Sequence, residues 1–500
     1  MTEATYPALG AGDRQWSRIL NDLIERSFWR CFCAVLALMV LNAFTGLSET
    51  YVRDMDEARY GVAASEMLHT HSALVTTYAG STEFWNLKPP LGYWLLEISF
   101  RLFGESPMSL RLPAALCALL TLAGTILLTR QIAGAAAGIL AGLILVTSFG
   151  FLGHHGARSG ELDSALTLIL LPTLFIGPRL FDERWARLAL GLLLGLGFLL
   201  KSFAILPFSA ALALYAVMTR GLRSWRIWPL PILITALIAL TWAFARSIAE
   251  DSWTFVYRMV SEDLLMRSTS DIDAGGNSFW DYIGCLFDRI APWPLFVVAS
   301  LLVGEAAMRR RLASDQVLLI GCFALVPLAL FTLIRTHHSW YIIPTYPAWA
   351  VLASISIVGM LPRSGPSRLE TTVMSAVVVA ALFACEYRIV SHITEYDRLS
   401  EQQSFLQSLG NTLPRGTRLS TAFTPSYSER FFLQAVNGLV LQDMLESQPN
   451  SAARSGRSDL ILFRRGKNAE LDIRPDIEPQ AVIAQGESYT LARIARAVGK

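Results

Sequence analysis

Long runs of apolar residues, separated by short polar intervals, fill most of the chain up to about residue 390. A helix needs about 20 apolar residues to cross the roughly 30 Å of hydrocarbon in a bilayer, and the pattern predicts about 11 to 13 such helices. The runs are residues 31–47, 112–129, 133–153, 164–181, 187–200, 203–219, 228–246, 284–304, 316–334, 340–360 and 371–387. The chain is therefore predicted to be mainly α-helical and to cross a membrane many times.

The composition agrees with a membrane protein. Of the 500 residues, 53% are hydrophobic and only 16% are charged, and the mean hydropathy is +0.43. A soluble core of ordinary proportions does not bury so much apolar surface. The 6 cysteines lie in or beside the predicted helices and indicate no disulfide framework. The net charge of +2 gives no sign of a nucleic-acid partner.

The charges between the apolar runs alternate in kind along the chain. Arginines concentrate in every second interval, beginning with Arg14, Arg18, Arg26 and Arg30 before the first run. Cytoplasmic loops carry such an excess of positive charge, so residues 1–30 are predicted to be a cytoplasmic segment. The intervals predicted to face outward are residues 48–111, 154–163, 201, 247–283 and 335–338. Ionisable groups from distant parts of the chain are thus predicted to share one outward-facing cavity.

The composition changes after about residue 388, where polar residues and helix breakers replace the apolar runs. The patterns predict helical stretches within residues 427–442 and strands near residues 417–423, 460–463, 481–484 and 489–494. Because the predicted number of membrane crossings is odd, this small α/β domain is predicted to be extracytoplasmic. The predicted domains are the segment 1–30, the membrane domain 31–387 with its outer loop 48–111, and the C-terminal domain 388–500.

The outer loop 48–111 contains several ionisable residues. Segments held against a bilayer carry such residues mainly for chemistry or transport. A helical pattern begins near Asp56, where the helix dipole favours a carboxylate. Helix capping alone explains Asp56, but it explains neither Arg59 one turn later nor Lys88. Carboxylates together with an Arg and a Lys suit a site that accepts a proton and holds an anionic phosphate. The loop therefore predicts an enzyme.

Lys201 lies between two short apolar arms whose far ends, at Arg187 and Arg220, are predicted to be cytoplasmic. The chain therefore has to cross the membrane and return with Lys201 at the turn. The ammonium group either extends to the membrane interface or enters the cavity as a phosphate-binding cation. The location of His154 and His155 is open in the same way, because they are either solvated loop residues or part of the cavity.

Two sequence boxes in the outer loop resemble those of a known family. Residues 56–60 read DEARY and resemble the D-E-x-R-Y box of GT-C membrane glycosyltransferases, and residues 88–95 read KPPLGYWL and resemble their K-P-P-L-x-Y-W box. Residues 200–201, 277–282 and 340–347 resemble later landmarks of the family in the same order. The resemblance covers about residues 30 to 390 and is greatest to the aminoarabinose transferases that modify lipid A and to the protein O-mannosyltransferases.

The resemblance implies a polyprenyl-phosphate-sugar-dependent glycosyltransferase with the GT-C fold. Such an enzyme takes a sugar from a polyprenyl-phosphate carrier and transfers it, with inversion, to an acceptor on the outer face of the bacterial inner membrane. The acceptor is a hydroxyl or phosphate of a lipid A-like molecule, or alternatively a protein Ser or Thr. The implied topology is multi-pass, with a cytoplasmic N-terminus and a periplasmic C-terminal domain.

The resemblance also implies roles for individual residues. Asp56 and Asp163 would be catalytic, with Asp56 next to the acceptor hydroxyl as a general base. Fixed cations in a low-dielectric pocket would stabilise the departing lipid phosphate. The implied phosphate-binding residues are Lys88, Arg59, Lys201 and Arg267. The implied lining residues of the donor and acceptor sites are Tyr60, Tyr341 and Glu57.

The chain departs from the family pattern at two places that bear on the sugar. Leu87 stands where the aminoarabinose transferases carry Glu, and Ser202-Phe203 follows Lys201 where a Gly-Pro pair is common. A missing acid near the donor suits a neutral or acidic sugar better than a cationic one. The identity of the sugar is left open.

Two further questions also stay open. Asp54-Met55-Asp56 spells D-x-D, the metal box of nucleotide-sugar transferases, but an extracytoplasmic site has no nucleotide diphosphate for a metal to bridge. No cofactor is predicted apart from a divalent metal, which Asp56 and Asp163 could share. A transporter or flippase of lipid-linked saccharide would also need cations in a membrane cavity, although such proteins tend to have repeated halves that this chain lacks.

Overall fold

The computed structural model describes residues 14–266, 269–270, 278, 280–303, 314–360, 368–396, 398–443, 460–465 and 479–494. The chain divides into two compact units. The first unit contains Met1–Thr45, Leu87–Gly92 and Ala114–His392, and the second contains Gly46–Asn86, Tyr93–Pro113 and Ile393–Lys500.

Helices dominate the first unit, as the apolar runs predict. Its α-helices are Arg14–Phe44, Ala135–Val146, Phe149–Leu152, Asp163–Ile176, Arg184–Lys201, Leu206–Arg220, Pro229–Glu250, Thr254–Arg258, Asp281–Ile290, Trp293–Val303, Asp315–Leu333, Tyr346–Met360 and Arg368–Ser391, and Pro107–Ala133 continues into it from the second unit. Short 3₁₀ or π segments are Gly177–Leu180, Ser202–Ile205, Gly221–Ile227, Met259–Met266 and Ser339–Thr345, and His392–Tyr396 begins in this unit. Every predicted apolar run contains a helix.

Several of these helices are long and apolar enough to cross a membrane. Within the described residues, 8 helical stretches have the required length and apolarity, and the pair Asp281–Ile290 and Trp293–Leu302, bent by 108°, makes 9. Ala135–Val146 has only 12 residues, or about 18 Å at 1.5 Å per residue. The runs 187–200 and 203–219 lie in one apolar stretch of 44 residues, Arg184–Ile227, which contains the two helices Arg184–Lys201 and Leu206–Arg220 on either side of the turn at Ser202–Ile205.

Close helix packing fixes the helix that ends at Lys201. A Cβ atom on Gly191 would lie 2.8 Å from Ile234 Cβ, so glycine lets this helix approach Pro229–Glu250 closely. Thr235 Oγ1 donates a hydrogen bond to the Gly191 carbonyl oxygen across the same contact, at 3.1 Å. The helix therefore has a fixed position, and Lys201 is held at its end.

The second unit combines the outer loop with the C-terminal part of the chain. Its α-helices are Asp56–Thr70, Leu91–Phe103 (which begins in the first unit), Glu401–Ser408 and Tyr427–Arg430, with π-helical Phe431–Val436 and 3₁₀-helical Leu409–Asn411. Its strands are β1 Thr77–Tyr78, β2 Ser81–Thr82, β3 Arg418–Thr421, β4 Val440–Asp443, β5 Leu460–Arg464, β6 Pro479–Gln485 and β7 Tyr489–Ile494. The four predicted C-terminal strands and the helical stretch are confirmed, and β4 was not predicted.

The strands β3 to β7 form one five-stranded sheet in the order β4-β3-β5-β7-β6. β3 pairs in parallel with β4 and β5, whereas β7 runs antiparallel to β5 and β6. β1 and β2 form a separate antiparallel pair within the outer loop. The predicted small α/β arrangement is therefore confirmed.

The outer loop and the C-terminal part pack on each other, although they are separate in the predicted domain division. A Cβ atom on Gly61 would lie 2.6 Å from the Phe431 ring, so the two helices touch at this glycine. Asp54 Oδ1 accepts a hydrogen bond from the Ser428 backbone N–H at 2.6 Å. The boundary predicted at residue 388 lies inside the helix Arg368–Ser391. The compact units thus cut across the predicted domains.

Candidate functional site

Asp56 begins the helix Asp56–Thr70, as the sequence predicts. Its side chain is half-buried, and among the described residues it has no hydrogen bond or ion pair. The neighbouring Glu57 instead accepts the Arg53 backbone N–H at 2.9 Å. Among the described residues, both carboxylate oxygens of Asp56 therefore remain available to accept a proton.

Glu57 lies in an internal ion pair. Arg111 Nε donates to Glu57 Oε1 at 2.7 Å, and the two side chains are 0% and 1% exposed. The Arg111 guanidinium also donates to the carbonyl oxygens of Leu47, Thr50 and Tyr51 at 2.8 to 3.1 Å. These contacts tie the start of the helix to the segment before it. The lining role of Glu57 stays a prediction, and its contacts with Arg111 and Arg53 are structural.

Arg59 makes a two-point ion pair with Glu83. Nε donates to Oε2 at 2.7 Å and Nη2 donates to Oε1 at 2.9 Å. The guanidinium also lies over the rings of Tyr78, Trp85 and Tyr427, at 4.4, 4.7 and 4.8 Å from their centroids. Burial alone would lower the pKa of Arg59, but the hydrogen bonds and charge of Glu83 outweigh it and raise this pKa. The position of the Arg59 guanidinium is therefore fixed before any ligand binds.

Tyr60 is buried next to residues of the second sequence box. Its ring centroid lies 5.3 Å from that of Tyr93, and its hydroxyl lies 3.4 Å from Asn86 Oδ1. The helix that begins at Asp56 thus packs against Asn86 and Tyr93. The predicted lining role of Tyr60 is not tested by these contacts.

Asp163 and Lys201, both predicted site residues, meet in the first unit. Lys201 Nζ donates to Asp163 Oδ1 at 2.6 Å, with side-chain exposures of 13% and 2%. Asp163 begins the helix Asp163–Ile176, and Lys201 ends Arg184–Lys201 at the predicted turn. The ammonium group is therefore held within the protein by a carboxylate, instead of extending into solvent.

Lys88 has a partner that the sequence does not indicate. Its Nζ donates to Asp263 Oδ1 at 2.6 Å. The other oxygen, Asp263 Oδ2, accepts from Ser202 Oγ at 2.6 Å. Ser202 directly follows Lys201, so Asp263 connects the two predicted phosphate-binding lysines.

A histidine and carboxylate cluster surrounds Asp163. His155 Nδ1 contacts Glu161 and lies 3.2 Å from Asp163 Oδ2. Burial alone would lower the pKa of His155, but the charges of Glu161 and Asp163 outweigh it and raise this pKa to about 9. His154 Nε2 lies 3.8 Å from Glu161 Oε1. These residues are therefore part of a polar cluster and not solvated loop tips.

Tyr341 lies beside this cluster in the 3₁₀ segment Ser339–Thr345. Its neighbour Trp340 stacks on the His155 ring, with centroids 3.9 Å apart and planes at 8°. The Tyr341 ring is half-buried and lies 5.1 Å from that of His338. Its predicted lining role stays a prediction.

Three non-glycine residues with positive φ adjoin predicted site residues or belong to this cluster. They are Met55 (φ 70°) before Asp56, Ser202 (φ 46°) after Lys201, and His155 (φ 61°). Such backbone costs about 1–3 kcal/mol per residue and concentrates at functional sites. The strain supports a functional reason for these positions.

The predicted site residues are distributed over both compact units. Asp56, Glu57, Arg59 and Tyr60 lie in the second unit, and Lys88, Asp163, Lys201 and Tyr341 lie in the first. Arg267 lies outside the described residues. Sequence reasoning missed Glu83, Arg111, Glu161 and Asp263. Only Glu161 had a local signal, because it stands two positions before Asp163.

Comparison with known proteins places these residues in a family context. Residues 87–248 match the family described as dolichyl-phosphate-mannose-protein mannosyltransferase. The undecaprenyl phosphate-alpha-4-amino-4-deoxy-L-arabinose arabinosyl transferase 1 of Pseudomonas fluorescens is 31% identical over 324 residues, which are 63% of this chain and 57% of the relative. The enzyme of this kind from Pectobacterium carotovorum is 30% identical over 346 residues, 66% of this chain and 59% of the relative. The chain thus spans less than two thirds of these relatives.

Solved structures decide the fold. ArnT from Cupriavidus metallidurans, crystallised with undecaprenyl phosphate, matches with a TM-score of 0.74 over 94% of this chain and 98% of that chain, at 18% identity. The chain has the GT-C fold and resembles the aminoarabinose transferases. The archaeal oligosaccharyltransferase AglB from Archaeoglobus fulgidus matches the same GT-C fold with a TM-score of 0.56, 10% identity, and coverage of 91% of this chain and 75% of that chain.

The matched family region contains much of the candidate site. Lys88, Asp163 and Lys201 fall within residues 87–248, and Asp56 lies before that range. The Asp163–Lys201 pair therefore joins two positions of the matched region. Asp263, which pairs with Lys88, lies after that region.

Proposed function

We propose that the protein is a polyprenyl-phosphate-sugar-dependent glycosyltransferase that modifies a lipid A-like acceptor. The proposal is supported by the GT-C fold and by the names of the relatives, which are undecaprenyl-phosphate-dependent arabinosyl transferases. The observation that carries the chemistry is the carboxylate of Asp56, which has no hydrogen bond or ion pair among the described residues and follows the strained Met55.

In the proposed reaction Asp56 acts as the general base. Its carboxylate takes the proton of the acceptor hydroxyl while the acceptor oxygen attacks the anomeric carbon of the donor sugar. The bond between that carbon and the phosphate oxygen breaks, and the configuration of the carbon inverts. A carboxylate without internal partners suits this role, because it does not have to give up an ion pair before it accepts the proton.

The departing group is the lipid phosphate, which keeps the electron pair of the broken bond. We assign its stabilisation to Lys88, Lys201, Arg59 and Arg267, with Asp163 holding Lys201 in position. Arg59, Lys88 and Lys201 each have a carboxylate partner, at 2.6 or 2.7 Å. Positions fixed before the reaction are what electrostatic stabilisation of a developing charge requires.

The proposed location is the bacterial inner membrane, with acceptor and donor on its outer face. The many apolar helices support a multi-pass membrane protein. The Arg-rich intervals favour a cytoplasmic N-terminus and a periplasmic C-terminal part.

The test compares Asp56→Asn with Asp54→Asn in purified protein. Both variants remove one carboxylate charge, and asparagine at residue 54 still accepts the hydrogen bond from Ser428. We expect Asp56→Asn to lower the rate of sugar transfer by on the order of 10²-fold or more, with polyprenyl phosphate binding unchanged. Asp54→Asn should stay within threefold of the wild-type rate, on the order of the scatter between such variants.

The donor for this assay is a radiolabelled undecaprenyl-phosphate sugar, and the acceptors are lipid A and a Ser/Thr-containing peptide. Radiolabel in the peptide but not in lipid A would indicate that the acceptor is a protein. Wild-type transfer by Asp56→Asn would overturn the assigned base. Carrier movement across vesicles without any covalent transfer would instead favour a transporter.

A further inference from the structure

Three groups that bind transition metals direct their ligand atoms to one place in the first unit. They are His154, His155 and Glu161, whose ligand atoms all lie within 4.8 Å of one another. Imidazole and carboxylate together are ligands that Zn²⁺ prefers. The proposed transfer reaction assigns no role to any of the three residues.

The spacing of these atoms matches the size of a zinc site. Ligands at about 2.0–2.2 Å from a tetrahedral Zn²⁺ lie roughly 3.4 Å from each other. His154 Nε2 lies 3.8 Å from Glu161 Oε1, and His155 Nδ1 lies 3.2 Å from Asp163 Oδ2. The side chains therefore need shifts of only about 1 Å or less to surround an ion of this size.

The surroundings hold the two imidazole rings in place. Trp340 stacks on His155 and meets the His154 ring edge-on, with centroids 5.7 Å apart. The positive φ of His155 lets consecutive residues direct both rings toward Glu161. A cluster with fixed rings loses little conformational freedom when it binds an ion.

The charges of the cluster also suit a cation. His155 and Glu161 are nearly completely buried, with side-chain exposures of 4% and 2%, and the carboxylate of Asp163 lies beside them. Buried carboxylates need a compensating cation. Lys201 supplies one to Asp163, whereas Glu161 is served by the two histidines.

We propose that His154, His155 and Glu161 bind one Zn²⁺ ion, with Asp163 or a solvent molecule available as the fourth ligand. The site is distinct from the D-x-D sequence at residues 54–56, and its existence does not depend on the transferase activity.

The experiment measures metal binding and not turnover. The full chain, purified in detergent and stripped with a chelator, is titrated with Zn²⁺ alone, and bound zinc is counted by elemental analysis. We expect one ion per chain for the wild type. His154→Ala and Glu161→Gln should raise the Kd for Zn²⁺ by on the order of 10- to 100-fold or more, since even the loss of an outer-shell partner costs that much.

His71→Asn is the matched control, because His71 is exposed and lies in the second unit. It should bind zinc like the wild type. Co²⁺ substitution gives an independent readout, since a tetrahedral site with two imidazoles has intense visible bands that His154→Ala should lose. Unchanged gel-filtration profiles in chelator show that a variant is folded. If His154→Ala misfolds, His154→Gln replaces it.

Three results would overturn the proposal. They are fewer than one zinc per two chains at saturating Zn²⁺, equal affinity in the wild type and the folded His154 variant, or the same loss in His71→Asn.

Discussion

Lys88 is proposed to bind the donor phosphate, yet its ammonium group already donates to Asp263. Asp263→Asn removes the negative charge but keeps one oxygen, which can accept from Lys88, while the new amide NH2 can donate to the Ser202 hydroxyl oxygen. The position of the ammonium group should therefore change little. If Lys88 binds the lipid phosphate, its affinity for that phosphate should rise, because the competing carboxylate is gone.

The expected magnitude follows from the geometry. The carboxylate lies 2.6 Å from Lys88 Nζ. A phosphate oxygen on the other side of the same ammonium group would lie about 5 Å from the carboxylate, at an ordinary hydrogen-bond length. Two unit charges at this distance repel by roughly 3 kcal/mol at an effective dielectric constant of about 20. Lys88 and Asp263 are 13% and 9% exposed, so solvent weakens the repulsion. We expect about 1.4 to 2.8 kcal/mol, or a 10- to 100-fold lower Kd.

The assay is equilibrium binding of radiolabelled undecaprenyl phosphate to the purified protein in mixed micelles, at several salt concentrations. Glu262→Gln is the matched control. It removes one negative charge at the next position, but Glu262 pairs with Arg258, and both side chains are more than a third exposed. Its Kd should stay within about twofold of the wild type, because solvent screens exposed charges.

The reasoning is refuted if folded Asp263→Asn binds the lipid phosphate with wild-type or weaker affinity. Weaker binding would mean that Asp263 positions Lys88 more than it repels the ligand. Equal tightening in Glu262→Gln would mean that a general change in charge, and not the pair with Lys88, controls binding.

Two further predictions concern ion pairs in the second unit. Arg111→Ala should lower the free energy of unfolding by about 3–5 kcal/mol, because it leaves the Glu57 carboxylate buried without its cation. The control Arg101→Ala removes an ion pair on a helix surface and should lower the free energy of unfolding by no more than about 1 kcal/mol. Thermal unfolding in detergent measures both, and equal shifts would contradict the structural role of Arg111. Arg59→Lys should destabilise by about 1–3 kcal/mol, since lysine cannot pair at two points with Glu83 or stack on the aromatic rings; an unchanged unfolding midpoint would contradict it.

The sequence predicts the helices well because each depends on its own residues. Every apolar run contains a helix, and the C-terminal strands lie where their patterns place them. The number of crossings is harder to predict, because Ala135–Val146 is apolar but too short to cross a bilayer alone. β4 was missed for a related reason, since residues 440–442 lie in the range predicted to contain helical stretches, whereas Val440–Asp443 becomes a strand by pairing with β3.

The predictions for the candidate site also succeed where they depend on local sequence. The positions of Asp56 at a helix N-terminus and of Lys201 at a turn follow from adjacent residues, and both predictions are confirmed. The partners are a tertiary property. Lys88 and Asp263 are 175 positions apart, and Glu57 and Arg111 are 54 apart. No motif links such residues, so a single sequence gives no signal for them.

The acid beside Lys88 also changes what can be inferred about the sugar. Leu87 stands where the aminoarabinose transferases carry Glu. From the sequence alone, the absence of that glutamate favours a neutral or acidic sugar. In the structure Leu87 is buried, and Asp263 supplies a carboxylate to the adjacent Lys88 from a distant segment. A negative charge is therefore present next to this lysine, although it comes from another part of the chain. The substitution at residue 87 alone gives no ground for excluding a cationic sugar.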